Sequence, residues 1–153
     1  MSADAASAAA RRAAFAAKVE AETGIDEAMI GRLVDSFYDR ARTDPLLGPV
    51  FEARVADWPL HLAKMRAFWH SVALMSGRYH GQPMAAHQPL PVDARHFDRW
   101  LALFGETARD VCPPAAAALF IERAGRIAES LELGIAVSRG VMLGQGERLA
   151  AEA

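Results

Sequence analysis

The sequence predicts an all-α protein, and three observations support this. Between residues 26 and 137 the apolar side chains recur at intervals of three and four, as they do on one face of an α-helix. No segment shows the alternation of apolar and polar residues that is typical of a half-buried β-strand. Prolines and glycines divide the helical pattern into segments of ordinary helix length. A chain of 153 residues has the size of a single domain.

The first half of the chain begins with an alanine-rich segment. Residues 1–24 predict a flexible or partly helical extension, because alanine favours helix but offers little surface to bury. The next predicted helix begins near Asp26 and ends before Pro45, since the residue before a proline avoids helical geometry. The buried face of this helix is predicted to consist of Met29, Ile30, Leu33, Val34, Phe37 and Ala41. The crossing over residues 44–57 contains two prolines and a glycine and is predicted to be irregular.

The sequence pattern in the middle of the chain predicts one long helix and one short helix. Asp57 is a suitable N-cap for the long helix, which should continue to about Ser76, where Gly77 is a natural stop. A loop then leads to a short helix that starts near Pro83 and ends before Pro89.

The last part of the chain predicts two further helices. Asp93 can cap the first of them, and a proline pair ending at Pro114 opens a final helix that continues to about Val137. We therefore expect one helical domain over residues 25–140 and a C-terminal tail over residues 141–153.

Composition excludes several functional classes. A formal net charge of −2 provides no basic face for nucleic acid or for an anionic membrane surface. Cys112 is the only cysteine, so neither an internal disulfide nor a CxxC metal or redox site is possible. The longest apolar run, over residues 115–121, is far too short to span a membrane. Arg11 and Arg12 interrupt the apolar character of the N-terminal segment, so we expect no secretion signal and a cytoplasmic location.

His61 lies on an otherwise apolar helical face. The spacing places its imidazole on the same stripe as Met65, Phe68 and Val72, and Trp69 widens that stripe. An imidazole in this position is either a partly buried core residue that bonds to a backbone carbonyl or a group that faces a ligand.

His87 closes a short segment that prolines hold at both ends. Pro83 and Pro89 restrict the backbone, and only alanines precede His87 within its own turn. Nothing bulky would therefore prevent a planar ligand from approaching the imidazole. Two histidines with an apolar wall between them could hold a flat, metal-bearing cofactor. The alternative is a proline-rich loop with an incidental histidine.

Tyr38 and Trp100 are polar aromatic residues among apolar neighbours. Each buries a ring and carries a hydrogen-bond donor that needs a partner when it is buried. Either residue could belong simply to the core. Their combination with a histidine indicates a ligand-binding site in an otherwise apolar set of helices.

Several segments together resemble a known family. The strings are FYDRARTDPLLGPVF, WPLHLAKMRAFWHSVALMSGRYHGQPMAAHQPLP and HFDRWLALF. In order, spacing and flanking residues they are similar to the group III branch of the truncated haemoglobins over roughly residues 26–135. The glycine pairs of the other two branches are missing, as is typical of group III.

The resemblance implies a fold and a cofactor. The fold would be globin-like: a shortened two-over-two helical sandwich around haem, with an N-terminal helical extension. His87 would be the proximal iron ligand, Tyr38 and Trp100 would be the distal hydrogen-bond donors, and His61 would be a distal gate. The same resemblance implies further haem contacts from Phe51, Lys64, Met65, Phe68, Trp69 and Met84. The haem would be non-covalent haem b, because the CxxCH motif for covalent attachment is absent.

The resemblance also implies partners and a reaction class. O2, CO, NO or peroxide would bind at the open iron position, with tight retention of O2. Strong retention favours redox chemistry such as NO dioxygenation or peroxide reduction over bulk oxygen transport, with an unidentified reductase as electron donor. Two alternatives remain from the residues alone. One is a non-haem metal site of His61, His87 and a carboxylate, and the other is a cofactor-free helical interaction module.

Overall fold

The structure, a computed structural model, describes residues 2–152. In this part of the chain it contains no β-strand, and the predicted all-α class is confirmed. Its seven α-helices are α1 (Ala3–Thr23), α2 (Glu27–Ala41), α3 (Gly48–Arg54), α4 (Trp58–Leu74), α5 (Pro83–His87), α6 (Ala94–Val111) and α7 (Pro114–Ser138). None of the helices in this part of the chain is long and apolar enough to cross a membrane.

Aspartate side chains begin three of these helices. Asp26, Asp57 and Asp93 each accept a hydrogen bond from a backbone N–H of the first turn, which otherwise has no partner within the helix. Helix α7 instead begins at Pro114, where the missing N–H of proline costs no helical hydrogen bond. The predicted starts of these four helices are confirmed.

Two helix boundaries differ from the sequence prediction. The crossing predicted to be irregular contains α3, because Pro49 falls in the first turn of a helix, where it needs no hydrogen bond. Helix α4 ends at Leu74 rather than near Ser76, because Met75 adopts a left-handed conformation with φ of 51°. Methionine rarely takes this conformation, so the sequence contained no sign of the earlier end.

The N-terminal segment forms a helix, and its second half packs on the rest of the protein. Side chains before Phe15 are mostly exposed, whereas Val19 is buried and Phe15 lies against the main core. Gly24 ends α1 in a left-handed conformation, with φ of 74°. Helix α1 contacts α4 and α7, so the segment offers more surface for burial than its alanine content indicates.

The core has two parts. The main cluster lies where α2 packs on α4 and α6 and where α6 packs on α7, and its largest fully buried side chains include Phe104 and Phe120. Cys112, at the junction of α6 and α7, is buried in this cluster. The second cluster brings together Val92, Phe97, Ala128, Ile135, Ala136 and Leu149.

The C-terminal tail, residues 141–152, has no regular structure but lies against the helices. Leu149 is buried in the second cluster, and its carbonyl oxygen accepts a hydrogen bond of 2.9 Å from the backbone N–H of Ala94. The tail therefore crosses the beginning of α6.

Candidate functional site

Four aromatic rings form a compact group between α2, α3 and the first turn of α4. Tyr38 lies at the centre, with ring centroids 5.4 Å from Phe51, 5.9 Å from Trp58 and 5.2 Å from His61. Trp58 also meets His61 edge to face, at 5.6 Å. We call Tyr38, Phe51, Trp58 and His61 the distal group. Three of these residues were predicted to belong to the site, and the structure brings them together.

Trp58 is the member of the distal group that sequence reasoning missed. Its indole Nε1 is buried and has no hydrogen-bond partner among residues 2–152. The guanidinium of Arg42 lies over the ring, 4.1 Å from its centroid, in a cation–π contact. Trp58 precedes His61 by three residues and so shares its helical face, a signal that could have identified it.

His61 has an unpaired polar atom inside the protein. Its Nε2 is buried and lacks a hydrogen-bond partner in the described part of the chain, although buried polar groups are usually paired. Burial lowers the pKa of His61, and the charges of Lys64 and His87 lower it further. The imidazole is therefore mostly neutral at pH 7. A buried ring nitrogen without a partner is suited to meet a bound ligand.

Tyr38 supplies a buried hydroxyl. Only 7% of the residue is exposed, and its ring packs edge to face on Phe51 and His61. Burial raises the pKa of Tyr38 well above its ordinary value, so the hydroxyl keeps its proton and can donate a hydrogen bond.

His87 is the last residue of α5, and one of its ring nitrogens makes a hydrogen bond to the backbone. Its Nδ1 lies 2.6 Å from the carbonyl oxygen of Pro83, a geometry in which Nδ1–H donates. The lone pair of Nε2 is then available for a metal, since a hydrogen bond at one nitrogen fixes the tautomer and ring orientation. Met84, a predicted haem contact, packs against Gly134 so closely that a Cβ there would collide with the thioether.

Trp100 lies outside the distal group, in a stack of aromatic rings. It stacks on Phe104 at 5.1 Å, and Trp69 stacks on Phe104 at 4.8 Å. Phe37 meets Trp100 at 5.7 Å and Tyr38 at 5.1 Å, so it connects the stack to the distal group. Trp69, a predicted haem contact, is buried in this stack.

The remaining predicted site residues lie along α4. Met65 and Phe68 are partly buried and pack against the main core, and Phe68 also meets Tyr79 edge to face at 5.2 Å. Lys64 is exposed, and its charge reaches His61. These positions place an apolar wall and one cation next to the distal group.

A protein-only metal site would need a third ligand beside the two histidines. Within residues 2–152, no group of three or more His, Cys, Asp or Glu side chains is placed to hold a metal ion. The alternative of a non-haem site therefore finds no ligand set in the described structure.

Comparison with known proteins identifies the family. A family model described as bacterial-like globin matches residues 21–122. The group 3 truncated hemoglobin ctb of Campylobacter jejuni is 33% identical over 113 residues, which cover 71% of this chain and 89% of that protein. The chain belongs to the truncated haemoglobins.

Solved structures confirm the expected globin-like fold of this truncated haemoglobin. The crystal structure of the group III truncated hemoglobin from Campylobacter jejuni matches with a TM-score of 0.64 and 34% identity, covering 70% of this chain and 88% of that one. The truncated oxygen-avid haemoglobin from Bacillus subtilis matches with a TM-score of 0.61 and 25% identity, covering 71% and 94%. The resemblance to group III is thereby confirmed.

Membership of the truncated haemoglobins implies a haem cofactor, and the residues present fit one. The hydrogen bond of His87 is made by Nδ1, which leaves Nε2 to face a metal, while His61 has a buried ring nitrogen without a partner among residues 2–152. Buried aromatic and apolar side chains lie around the distal group, and Lys64 is an exposed cation beside it. This set matches what a flat apolar ring system with an iron centre and charged carboxylates requires.

Proposed function

We propose that this truncated haemoglobin binds haem b non-covalently through Nε2 of His87 and binds diatomic ligands on the side of the distal group. The observation that carries the proposal is the hydrogen bond from His87 Nδ1–H to the carbonyl oxygen of Pro83. It fixes the ring and increases the basicity of Nε2, as is typical of histidines that ligate metals. When bound, the haem would supply an iron that takes O2, CO or NO as a ligand.

The distal residues would hold the ligand by hydrogen bonds. Tyr38 keeps its hydroxyl proton because burial raises its pKa, so the hydroxyl can donate a hydrogen bond to a ligand. Trp100 would be the second donor, since an indole N–H can only donate. A donor in a dry pocket contributes roughly 1.5–3 kcal/mol, which corresponds to about tenfold to a hundredfold slower ligand release.

His61 would act as a gate at the edge of the distal group. Its ring lies 5.2 Å from Tyr38, yet Nε2 has no hydrogen bond to a described residue. Rotation of the side chain would therefore break no existing hydrogen bond at Nε2. A neutral imidazole also costs less to move through an apolar pocket than a charged one.

The reaction that best fits tight retention is redox chemistry on the ligand. We propose NO dioxygenation or peroxide reduction, with electrons from a reductase, because hydrogen-bond donors on the distal side help to polarise an O–O bond. The Bacillus subtilis neighbour, described as oxygen-avid, supports tight oxygen binding in this fold. Exposed Lys64 would pair with a haem carboxylate, a contact worth at most about 1 kcal/mol at a surface.

The assignment of His87 as the iron ligand is tested by replacing His87 with glycine. The parent protein should show an intense Soret band that shifts on addition of CO. The His87→Gly variant should lose haem readily, and added imidazole should restore both the band and haem retention by supplying the missing ligand. His80→Ala is the matched control, because His80 is exposed and lies in the loop before the same short helix. A His87→Gly protein that retains haem as the parent does, without imidazole, would contradict the assignment.

A further inference from the structure

Arg139 follows directly after α7 and is mostly buried. Only 15% of its side chain is exposed. Its Nη2 donates a hydrogen bond of 2.9 Å to the carbonyl oxygen of Leu90, which lies 49 positions earlier in the chain. The guanidinium therefore reaches from the end of α7 to the segment that follows α5.

Leu90 is joined by hydrogen bonds to the residue proposed as the iron ligand. Its backbone N–H donates to the carbonyl oxygen of His87 at 3.0 Å. Its own carbonyl oxygen accepts from the backbone N–H of Val92 at 2.9 Å as well as from Arg139. Leu90 thus links Arg139 to the backbone of His87: it makes one hydrogen bond to each of them.

Helix α5 cannot fix His87 by itself. It has five residues, far below the length at which an isolated helix is stable in water. Its orientation must come from contacts with other elements. Two of these come from the end of α7: the packing of Met84 on Gly134 and the hydrogen bond from Arg139 to Leu90.

The C-terminal tail holds Arg139 in this position. Oε1 of Glu152 lies 2.9 Å from Arg139 Nε, which makes an ion pair without hydrogen-bond geometry. The tail is itself anchored by buried Leu149, whose N–H donates to Oε1 of Glu132 at 3.0 Å. Arg148 adds hydrogen bonds to Glu132 at 2.9 Å and to Asp98 at 2.7 Å.

We propose that Arg139, held by the tail, is a positioning residue for His87 and sets how firmly the imidazole is presented to the haem iron. This inference rests on the proposed function, which makes His87 the iron ligand. It goes beyond that function because the tail and Arg139 lie outside residues 21–122, the part of the chain that the family model matches. Arg139 acts through the backbone at Leu90 and needs no contact with the haem.

The test compares Arg139→Gln with Arg126→Gln in the haem-loaded protein. Arg126 is a suitable control because it lies on α7, is exposed and pairs with Glu122 one turn away. The first readout is the iron–histidine stretching band of the reduced, ligand-free protein by resonance Raman spectroscopy. The second is the rate of haem transfer to an excess of an apoglobin acceptor. Arg139→Gln should shift or broaden the band and speed haem transfer roughly tenfold, as loss of a charge-assisted hydrogen bond predicts.

The conservative variant separates positioning from general destabilisation. Arg139→Lys keeps a cationic donor and should restore the band at least partly, whereas the control should match the parent within twofold. An Arg139→Gln protein with the parent's band and transfer rate would overturn the inference. A parent that binds no haem would instead overturn the proposed function.

A milder variant covers the case in which Arg139→Gln does not fold. Glu152→Gln leaves Arg139 in place and removes only the charge that anchors it. A shift of the band in Glu152→Gln supports the inference, and the parent's band in that variant overturns it.

Discussion

At the level of single residues, the distal group combines closely packed rings with buried ring nitrogens that have no hydrogen-bond partner among residues 2–152. The indole N–H of Trp58 is a donor of this kind. A buried donor left unpaired costs about 1–3 kcal/mol. A ligand that accepts such a bond removes this cost, so the folded protein favours ligands that are acceptors.

Replacement of the distal donors should speed ligand release. Tyr38→Phe removes one hydroxyl and leaves the ring packing intact, so the O2 dissociation rate should rise about tenfold or more. Trp100→Phe should have a smaller effect, because Trp100 stacks on Phe104 outside the distal group. Stopped-flow displacement of O2 by CO measures both rates.

Tyr79→Phe is the control for this prediction. It deletes a hydroxyl from a tyrosine that packs on Phe68 and takes no part in the distal group. Its O2 dissociation rate should equal the parent's within twofold. If the variant with both Tyr38 and Trp100 replaced by Phe also stays within twofold of the parent, the assignment of the donors is wrong.

The single residues differ in how far sequence could predict them. His61, Tyr38 and Phe51 were predicted for the site by resemblance, and the structure places their rings together. Trp58 is not among the residues that the resemblance places at the site. Its position three residues before His61 could have indicated its place in the group, whereas its cation–π contact with Arg42 depends on how the elements pack.

At the level of elements, the start of α6 is held by a reciprocal cap. The Asp93 carboxylate accepts from the Arg95 N–H, while His96 Nδ1 accepts from the Asp93 N–H at 3.1 Å. This capping box gives the side chain of His96 a partner within its own helical turn. The Arg95 guanidinium is the main cause that lowers the pKa of Asp93 to about 2, against the opposing effect of burial.

The low pKa of Asp93 predicts a pH-dependent contribution to stability. Because the folded pKa of about 2 lies below the ordinary value of 3.8, the ionised carboxylate stabilises the fold above about pH 4. This contribution is lost as pH falls toward 2. At pH 7, Asp93→Asn should lower the free energy of unfolding by about 1 kcal/mol. Urea unfolding at a series of pH values measures the difference from the parent, which should narrow between pH 4 and 2.

Asp39→Asn is the control, because Asp39 is an exposed aspartate in the interior of a helix. It should change stability much less than Asp93→Asn at pH 7. The parent and Asp93→Asn should approach each other in their free energies of unfolding as the pH is lowered. A difference that stays constant or widens would contradict this prediction.

Helix boundaries were predictable where a single side chain or proline decides them. Asp57 and Asp93 cap their helices as expected, because the capping hydrogen bond is local. Helix α3 within the crossing was not predicted, because seven residues span too few turns to show a helical periodicity. Likewise, the end of α4 at Leu74 depends on the unusual backbone of Met75, which no sequence pattern indicated.

At the level of the whole molecule, the two ends of the chain differ in how they join the core. The first half of α1 is mostly exposed, while Val19 is buried against the main cluster. Hydrogen exchange should therefore be fast over residues 3–12 and slow around Val19, because a frayed helix exposes its amides. Amide exchange followed by NMR measures this gradient. Uniform protection along α1 would contradict the flexible extension predicted from the sequence.

The sequence alone could not predict where the C-terminal tail packs on the helices. Its contacts join residues far apart in the chain: Arg148 reaches Glu132, 16 positions away, and Asp98, 50 positions away. Such pairings depend on how α6 and α7 pack, which periodicity alone does not give. The overall class and the family were predictable, because helical spacing and several motifs extend over most of the chain.

Burial of Cys112 makes the junction of α6 and α7 a natural reporter of motion. It is the only cysteine of the chain, it is 8% exposed, and burial raises the pKa of its thiol. A thiol reagent can then react only when the junction opens. The rate of labelling therefore measures how often the junction of α6 and α7 opens. The same reaction needs no engineered label, and it can measure how cofactor binding changes the rate at which the helical core opens locally.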